Sequence, residues 1–153
     1  MAPSCGPDEV KFQVKTEGNA HPVKQPEAGK ALVYFLEDDT LFGSYPKPTT
    51  RLGVDGAWVG ATHGNSYFYF SVDPGEHHLC ASWQSTVLLG QDRKVAAAHF
   101  TAEAGGTYFF KVKNTIGPES SRRRATIDLQ PLDSDEGQLL ANKYSFSTFQ
   151  PKK

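Results

Sequence analysis

Short runs in which apolar and polar residues alternate recur along most of the chain. Residues 11–15 and 124–130 alternate in this way, which is typical of half-buried β-strands. Residues 66–72 also alternate, so that phenylalanines lie on one face of the predicted strand and tyrosines on the other. Residues 31–36 are apolar throughout, and a run this short predicts a strand that is buried on both faces.

Turn-forming residues separate these runs. Asp55-Gly56 lies between two segments that carry apolar residues. This dipeptide predicts a β-hairpin with a type I′ turn, in which both central residues have positive φ. Two further turns, over residues 73–76 and 103–106, contain Gly and predict hairpins of their own. The strands that these two turns would join are residues 66–72 with 77–83, and residues 95–101 with 107–113.

One helix is predicted near the C-terminus. Asp133 followed three residues later by Glu136 resembles a capping box, in which each side chain satisfies a free backbone N–H of the other. Leu139 and Leu140 are expected to pack against the rest of the domain. Asn142 is expected to end the helix, because Asn readily adopts the left-handed conformation of a helix C-terminus.

These elements predict an all-β protein, namely an antiparallel β-sandwich of about eight strands with one short C-terminal helix. We expect residues 1–28 to form an N-terminal extension with a short strand, and residues 29–150 to form a single sandwich domain. Residues 37–50 contain Gly and Pro and predict a long exposed loop or crossover. Residues 144–149 alternate again and predict an additional edge strand.

Composition and charge narrow the class of protein further. The 153 residues include 10 Phe, 6 Tyr and 2 Trp, an aromatic content that suits strands. The chain has 16 basic and 17 acidic residues, and its net charge of −1 disfavours a protein that coats nucleic acid or anionic membrane. No run approaches the roughly 18 apolar residues of a membrane-spanning helix, so none is predicted.

No catalytic or metal site is predicted from the residues. His77 and His78 are adjacent on a predicted strand, so their side chains leave opposite faces and cannot bind one ion together. The chain contains neither a Gly-x-Ser-x-Gly nucleophile motif nor a Cys-x-x-Cys pair. We therefore predict a protein that is not an enzyme and that needs no cofactor.

Aromatic side chains on the outer face of a strand are the remaining candidate for a binding site. Tyr67 and Tyr69 lie on the less apolar face of their strand, and Tyr45 is expected nearby. Flat aromatic rings can stack on sugars or anchor a peptide or protein partner, because they bury a large area at low entropic cost. In the competing interpretation, the N-terminal strand or the C-terminal helix packs on these rings.

The two cysteines, Cys5 and Cys80, are far apart and lack metal-ligand spacing. Three interpretations stay open from the residues alone: two free thiols, a disulfide, or lipidation of Cys5. Residues 1–7 lack the basic and apolar regions of a signal peptide. The chain is therefore either cytosolic or begins after a signal peptide that has been removed.

Several segments taken together resemble the bacterial domain-of-unknown-function family 2846. Their order and spacing carry the resemblance over about residues 29–141, and the middle part is also similar to the short surface-associated PEGA modules through a shared DGxxVG…PGxH layout. The segments are residues 30–36, 54–60, 66–70, 74–79 and 104–109.

This resemblance implies an all-β domain of bacterial envelope proteins, often behind a signal peptide or lipoprotein signal, and it implies no catalytic residues. Export to an oxidising compartment favours a disulfide between Cys5 and Cys80. Cys80 is predicted to lie on the strand face opposite Leu79, Ala81 and Trp83, where a segment carrying Cys5 could cover it.

The function predicted from the sequence is that of a non-enzymatic, exported binding or structural module of the bacterial cell envelope. Its location is expected to be the periplasm or envelope, with the cytoplasm as the alternative. The alternative function is that of a sugar- or peptide-binding domain, which would use Tyr45, Tyr67 and Tyr69. Its partner would be an envelope protein or glycan, with no nucleic acid and no transmembrane segment involved.

Overall fold

A computed structural model describes residues 5–42, 46–84, 95–117 and 124–152, which form ten β-strands and one α-helix in two sheets. This architecture confirms the prediction of an all-β sandwich with a short helix near the C-terminus. The elements are β1 (Phe12–Glu17), β2 (Ala31–Leu41), β3 (Thr49–Val54), β4 (Ala57–His63), β5 (Ser66–Val72), β6 (Gly75–Trp83), β7 (Val95–Ala102), β8 (Thr107–Gly117), β9 (Arg124–Leu132), α1 (Ser134–Lys143) and β10 (Ser145–Pro151).

The larger sheet, called the first sheet, has the order β1-β10-β5-β2-β8-β9, and the second sheet has the order β4-β3-β6-β7. The prediction of a purely antiparallel sandwich is wrong, because two pairs of strands are parallel. Strand β2 pairs in parallel with β8, and β10 pairs in parallel with β5. Parallel neighbours need a long connection. Strands β3 to β7 separate β2 from β8 in the chain and supply one.

The two hairpins predicted at residues 73–76 and 103–106 are wrong. At the first turn the chain leaves β5 in the first sheet and enters β6 in the second, and at the other turn it returns from β7 to β8. Turn residues set the local reversal of the chain, but they do not determine whether the next strand pairs in the same sheet.

The hairpin predicted at Asp55-Gly56 is confirmed. These two residues connect β3 to β4, and their φ angles of 53° and 89° are the positive values that a type I′ turn requires. We expect Gly56→Val to destabilise the protein by about 1–2 kcal/mol, because a side chain is strained in this conformation. The melting temperature should fall by roughly 2–8 °C.

The matched control for this prediction is Ala57→Val. Ala57 is exposed at the start of β4, where the backbone is an ordinary strand and tolerates valine. If thermal unfolding showed the two variants to be equally stable, the positive φ at Gly56 would not explain the loss of stability in Gly56→Val.

Strand β2 is buried on both faces, as predicted from its apolar run. Its inner residues, including Val33 and Phe35, join the core between the sheets. Its outer residues join a second cluster, in which α1 and the chain that follows it cover the outer face of the first sheet. The buried residues of this second cluster are Leu32, Tyr34, Leu36, Tyr67, Phe109, Ala141 and Tyr144.

Helix α1 begins as predicted but ends later. Asp133 is the N-cap and accepts a hydrogen bond from the Asp135 backbone N–H at 3.1 Å. Asn142 does not end the helix, since Tyr144 is the C-cap and its N–H bonds the Leu140 carbonyl. Leu139 was expected to pack, but it is 65% exposed because the helix turns its other side to the sheet.

With ten residues, α1 is far shorter than a membrane-spanning helix, and the part of the chain described above contains no helix that could cross a bilayer. Strand β1, within the predicted extension of residues 1–28, pairs with β10 at the edge of the first sheet. The division into residues 1–28 and 29–150 stays a prediction.

Candidate functional site

The N-terminal segment, residues 5–10, is attached to the outer face of the second sheet. Cys5 and Cys80 form a disulfide with their Cα atoms 5.1 Å apart, which confirms the predicted bond. The Cys5 carbonyl lies so close to Gly53, the neighbour of Cys80 on β3, that no side chain would fit at residue 53. Trp58 donates a hydrogen bond from Nε1 to the Pro7 carbonyl at 2.8 Å.

Arg51 holds the other end of this segment. Its guanidinium is buried and donates to the Val10 carbonyl at 2.8 Å and to Ser82 Oγ at 3.2 Å. It also lies 4.3 Å from the ring centre of Trp58, within cation–π distance. The disulfide therefore belongs to a wider contact between the N-terminal segment and the sheet.

A cavity of about 280 Å³ lies on the outer face of the first sheet. Aromatic rings of Tyr34, Tyr67 and Phe109 form its floor, α1 forms one wall, and residues 21–25 form another. We call residues 21–25 the strap. The remaining lining side chains are mostly polar: His21, Pro22, Val23, Lys24, Gln25, Thr107, Gln138, Ala141 and Asn142.

The floor of this cavity is a rigid aromatic layer. Tyr34 stacks on Phe109 with ring centroids 4.7 Å apart, and it lies nearly parallel to Tyr67 at 6.1 Å. α1 approaches this layer closely, because Gly137 packs against the Phe109 ring where any side chain would collide with it. The glycine in the first turn of the helix is thereby explained.

The strap is held over the floor by polar contacts. The Tyr67 hydroxyl donates to the Pro22 carbonyl at 3.0 Å, and the Tyr34 hydroxyl accepts from the Lys24 backbone N–H at 3.1 Å. His21 Nδ1 donates to the Ala141 carbonyl of α1 at 3.3 Å. Burial raises the pKa of Tyr67 to about 12, so its hydroxyl keeps the proton that it donates.

The tyrosines singled out from the sequence have different environments. Tyr67 was expected to be exposed, but its side chain is fully buried under the strap and β10. Tyr69 is half-buried, with its ring 5.6 Å from Phe146. Tyr45 lies outside the described residues. A ligand-binding role for these tyrosines stays a prediction.

The sequence analysis missed a buried polar cluster at the end of β2. Residues 37–50 were expected to form an exposed loop, but β2 continues to Leu41, and Glu37 and Asp39 are 0% and 2% exposed on its inner face. Thr62 Oγ1 donates to Glu37 Oε1 at 2.7 Å, and Asn114 Nδ2 donates to Asp39 Oδ1 at 2.7 Å. We call these four residues the carboxyl cluster.

The other oxygens of the two carboxyl groups, Glu37 Oε2 and Asp39 Oδ2, are buried and accept no hydrogen bond from an N–H or alcohol O–H of the described residues. Burial raises the pKa of Glu37 well above its usual range, and the hydrogen bond with Asp39 raises it further. Burial also raises the pKa of Asp39, against the opposing effect of its bonds from Glu37 and Asn114. Burial therefore favours the protonated form of Glu37, next to the carboxyl group of Asp39.

This cluster is structural in its position. It lies between the sheets, linking β2 and β8 to β3, β4 and β6, with Trp83 Nε1 donating to Asn114 Oδ1 at 2.9 Å. The cavity lies on the opposite face of the first sheet. Three consecutive acidic residues after an apolar strand normally signal the exposed end of that strand, so the sequence offered no sign of their burial.

The histidines are placed as the alternation of the strand predicts. His77 packs near Phe100 on the side of the core, where its Nδ1 bonds Asp55 Oδ2 at 2.7 Å, whereas His78 is exposed on the other face. Burial opposes ionisation of Asp55, but bonds from the His78 N–H and from His77 lower its pKa overall. Among the described side chains, no three His, Cys, Asp or Glu already surround a common point that could hold a metal.

Comparisons with known proteins agree with the resemblance seen in the sequence. Neither the curated proteins nor the solved structures include a match to this chain. The model of the family described as "Protein of unknown function (DUF2846)" matches residues 27–125. The matched segment begins between the strap and β2 and ends at the start of β9. Because this match covers well over half of the 153 residues, the chain belongs to the DUF2846 family.

Proposed function

We propose that this chain is a non-enzymatic binding domain of an exported bacterial envelope protein, and that its ligand is a small saccharide held in the cavity beneath the strap. The observation that carries the proposal is the cavity itself, with an aromatic floor and a polar rim. This combination is common in sites for small polar molecules, where apolar surface supplies affinity and a few polar groups fix orientation.

The chemistry of the lining favours a sugar. Gln25, Gln138 and Asn142 carry amide groups, which both donate and accept hydrogen bonds and therefore suit hydroxyl groups. Aromatic rings suit the apolar face of a sugar ring. The lining contains Lys24 but no carboxylate, so the sugar can be neutral or carry a negative charge.

A peptide ligand fits this cavity less well. Extended peptides usually add to the edge of a sheet, where backbone groups are free to pair. The cavity instead lies over the central strands of the first sheet, since its floor comes from β2, β5 and β8.

Export is supported by the disulfide. Bonds of this kind persist in oxidising compartments such as the bacterial periplasm and are rare in the cytosol. In the Cys5–Cys80 bond Cys5 is buried and Cys80 partly buried, and the bond adds a covalent link to the hydrogen bonds that Arg51 and Trp58 make with the N-terminal segment. The proposed location is therefore the periplasm or the envelope.

Binding can be tested by titrating the ¹⁵N-labelled protein with neutral, N-acetylated and uronic mono- and disaccharides, and with tripeptides. We expect one group of saccharides to shift the NMR signals of the cavity residues, among them Thr107 and Gln138. Gln138→Ala should weaken that binding about fivefold, because it removes roughly one hydrogen bond.

The matched control is Leu139→Ala on the same helix, since Leu139 is 65% exposed and does not line the cavity. It should leave binding unchanged. Signal shifts with tripeptides but with no saccharide would replace the sugar by a peptide, and an absence of shifts around the cavity for every probe would refute the proposal.

A further inference from the structure

The outer face of the second sheet is covered by the N-terminal segment over β3 and β4, but the strand pair β6–β7 carries exposed side chains beyond Cys80. Glu76 and His78 of β6 are exposed on this face, and so are His99 and Thr101 of β7. The two strands pair without a register shift from Gly75–Ala102 to Ser82–Val95, which makes them a regular support for these side chains.

The register places two histidines directly opposite each other. His78 pairs with His99, and their ring centroids are 6.0 Å apart. Glu76 lies two residues before His78 on the same face, and its Oε1 is 3.7 Å from His78 Nε2. Two imidazoles and one carboxylate therefore converge on one side of the sheet.

We propose that His78, His99 and Glu76 form a surface site for a divalent transition-metal ion such as Zn²⁺. Imidazole nitrogen binds Zn²⁺ at about 2.0–2.1 Å, which brings the centres of two ligating rings to roughly 5–6 Å from each other. The observed separation of 6.0 Å is at the upper end of that range, so a small rotation of the exposed rings completes the pair.

Glu76 is the third ligand of this site. A carboxylate oxygen binds Zn²⁺ at about 2.0–2.2 Å. An ion bound to His78 Nε2 therefore comes within reach of Glu76 Oε1 after a small movement of a side chain that is 63% exposed. Water completes the coordination, as it does in Zn²⁺ sites that have three protein ligands.

The neighbouring histidine is already occupied by other contacts. His77 bonds Asp55 Oδ2 through Nδ1 at 2.7 Å and the Asp73 carbonyl through Nε2 at 2.6 Å, so both of its ring nitrogens are engaged. The His78 backbone N–H donates to Asp55 Oδ1 at 2.9 Å, which holds this residue in place. The metal site therefore uses His78 and not His77.

The experiment is an isothermal titration of the full disulfide-bonded chain with zinc chloride, and with calcium chloride for comparison. We expect one Zn²⁺ per chain and no binding of Ca²⁺, which prefers oxygen ligands. His78→Gln and His99→Gln should each weaken Zn²⁺ binding by about tenfold or more, and Glu76→Gln by a smaller factor. In NMR spectra, Zn²⁺ should shift the imidazole signals of His78 and His99.

The matched control is His63→Gln, because His63 is an exposed histidine of β4, which lies at the opposite edge of the second sheet from β7. It should bind Zn²⁺ as the unaltered chain does. Far-UV circular dichroism shows whether each variant is folded, and the imidazole shifts test the site in the unaltered chain without any substitution. Unchanged Zn²⁺ affinity in both His78→Gln and His99→Gln would overturn the proposal. Binding of half a Zn²⁺ per chain with formation of a dimer would also overturn it, because the ion would then lie between two chains.

Discussion

Replacing Cys5 and Cys80 together by serine is expected to lower the free energy of unfolding by about 4 kcal/mol. The two cysteines are 75 residues apart, and a disulfide that closes so long a loop strongly restricts the unfolded chain. This figure is an upper value, because a compact unfolded chain has less entropy to lose. Urea unfolding of the double variant and of the oxidised protein measures the difference.

The reduced form of the unaltered protein provides the control. It lacks the bond but keeps both side chains, and it should unfold at nearly the same urea concentration as the double variant. Thiol counting in denaturant should find no free thiol before reduction and two afterwards. A double variant within about 1 kcal/mol of the oxidised protein would show that other contacts hold the N-terminal segment, above all those of Arg51.

Glu37→Leu is expected to destabilise the protein by about 1–3 kcal/mol at neutral pH, the usual cost of leaving a buried polar group without its partner. The substitution leaves the buried Thr62 hydroxyl without its acceptor and removes the hydrogen bond between Glu37 and Asp39. Glu37→Gln should cost far less, because the amide has the same shape and can donate to Asp39 permanently.

The effect of Glu37 on stability should depend on pH. Glu37 and Asp39 both have a pKa that is higher in the folded protein than in the unfolded chain, so folding takes up protons. The stability that this pair contributes is therefore fully present below the ordinary carboxyl range, and it is lost as the pH rises through the raised pKa values. Glu37→Gln removes most of this loss, because the amide does not titrate.

Urea unfolding between pH 5 and pH 9 provides the measurement. The unaltered protein should lose more stability over this range than Glu37→Gln does. Glu103→Gln is the control, since Glu103 is an exposed turn residue and its replacement should leave the pH profile unchanged. Identical profiles for the unaltered protein and Glu37→Gln would mean that the pKa of Glu37 is not raised in the folded protein.

Local features of the chain were predictable from the sequence alone. Alternation of residue type sets which side chains share a face of a strand, and it correctly separated Cys80 from the buried Leu79, Ala81 and Trp83. The turn at Asp55-Gly56 was also predictable, because only a few residue types adopt positive φ without strain. The relation to the DUF2846 family was likewise predictable from the order of such segments, and the match over residues 27–125 confirms it.

The pairing of strands was decided by the tertiary structure. Turn residues do not encode whether the chain stays in one sheet, so the passages from β5 to β6 and from β7 to β8 were misread as hairpins. The strand order instead depends on which apolar faces pack together over the whole chain. The opposition of His78 and His99 follows from this order, since the two residues belong to different strands.

Burial was also decided by the tertiary structure. Glu37 and Asp39 resemble a solvated strand end until Thr62 and Asn114 arrive from other strands to bond them between the sheets. Tyr67 resembles an exposed ring until residues 21–25 and β10 cover it. Periodicity and turn chemistry act between residues close in the chain and can be read from the sequence, whereas burial depends on partners distant in the chain that only the folded molecule brings together.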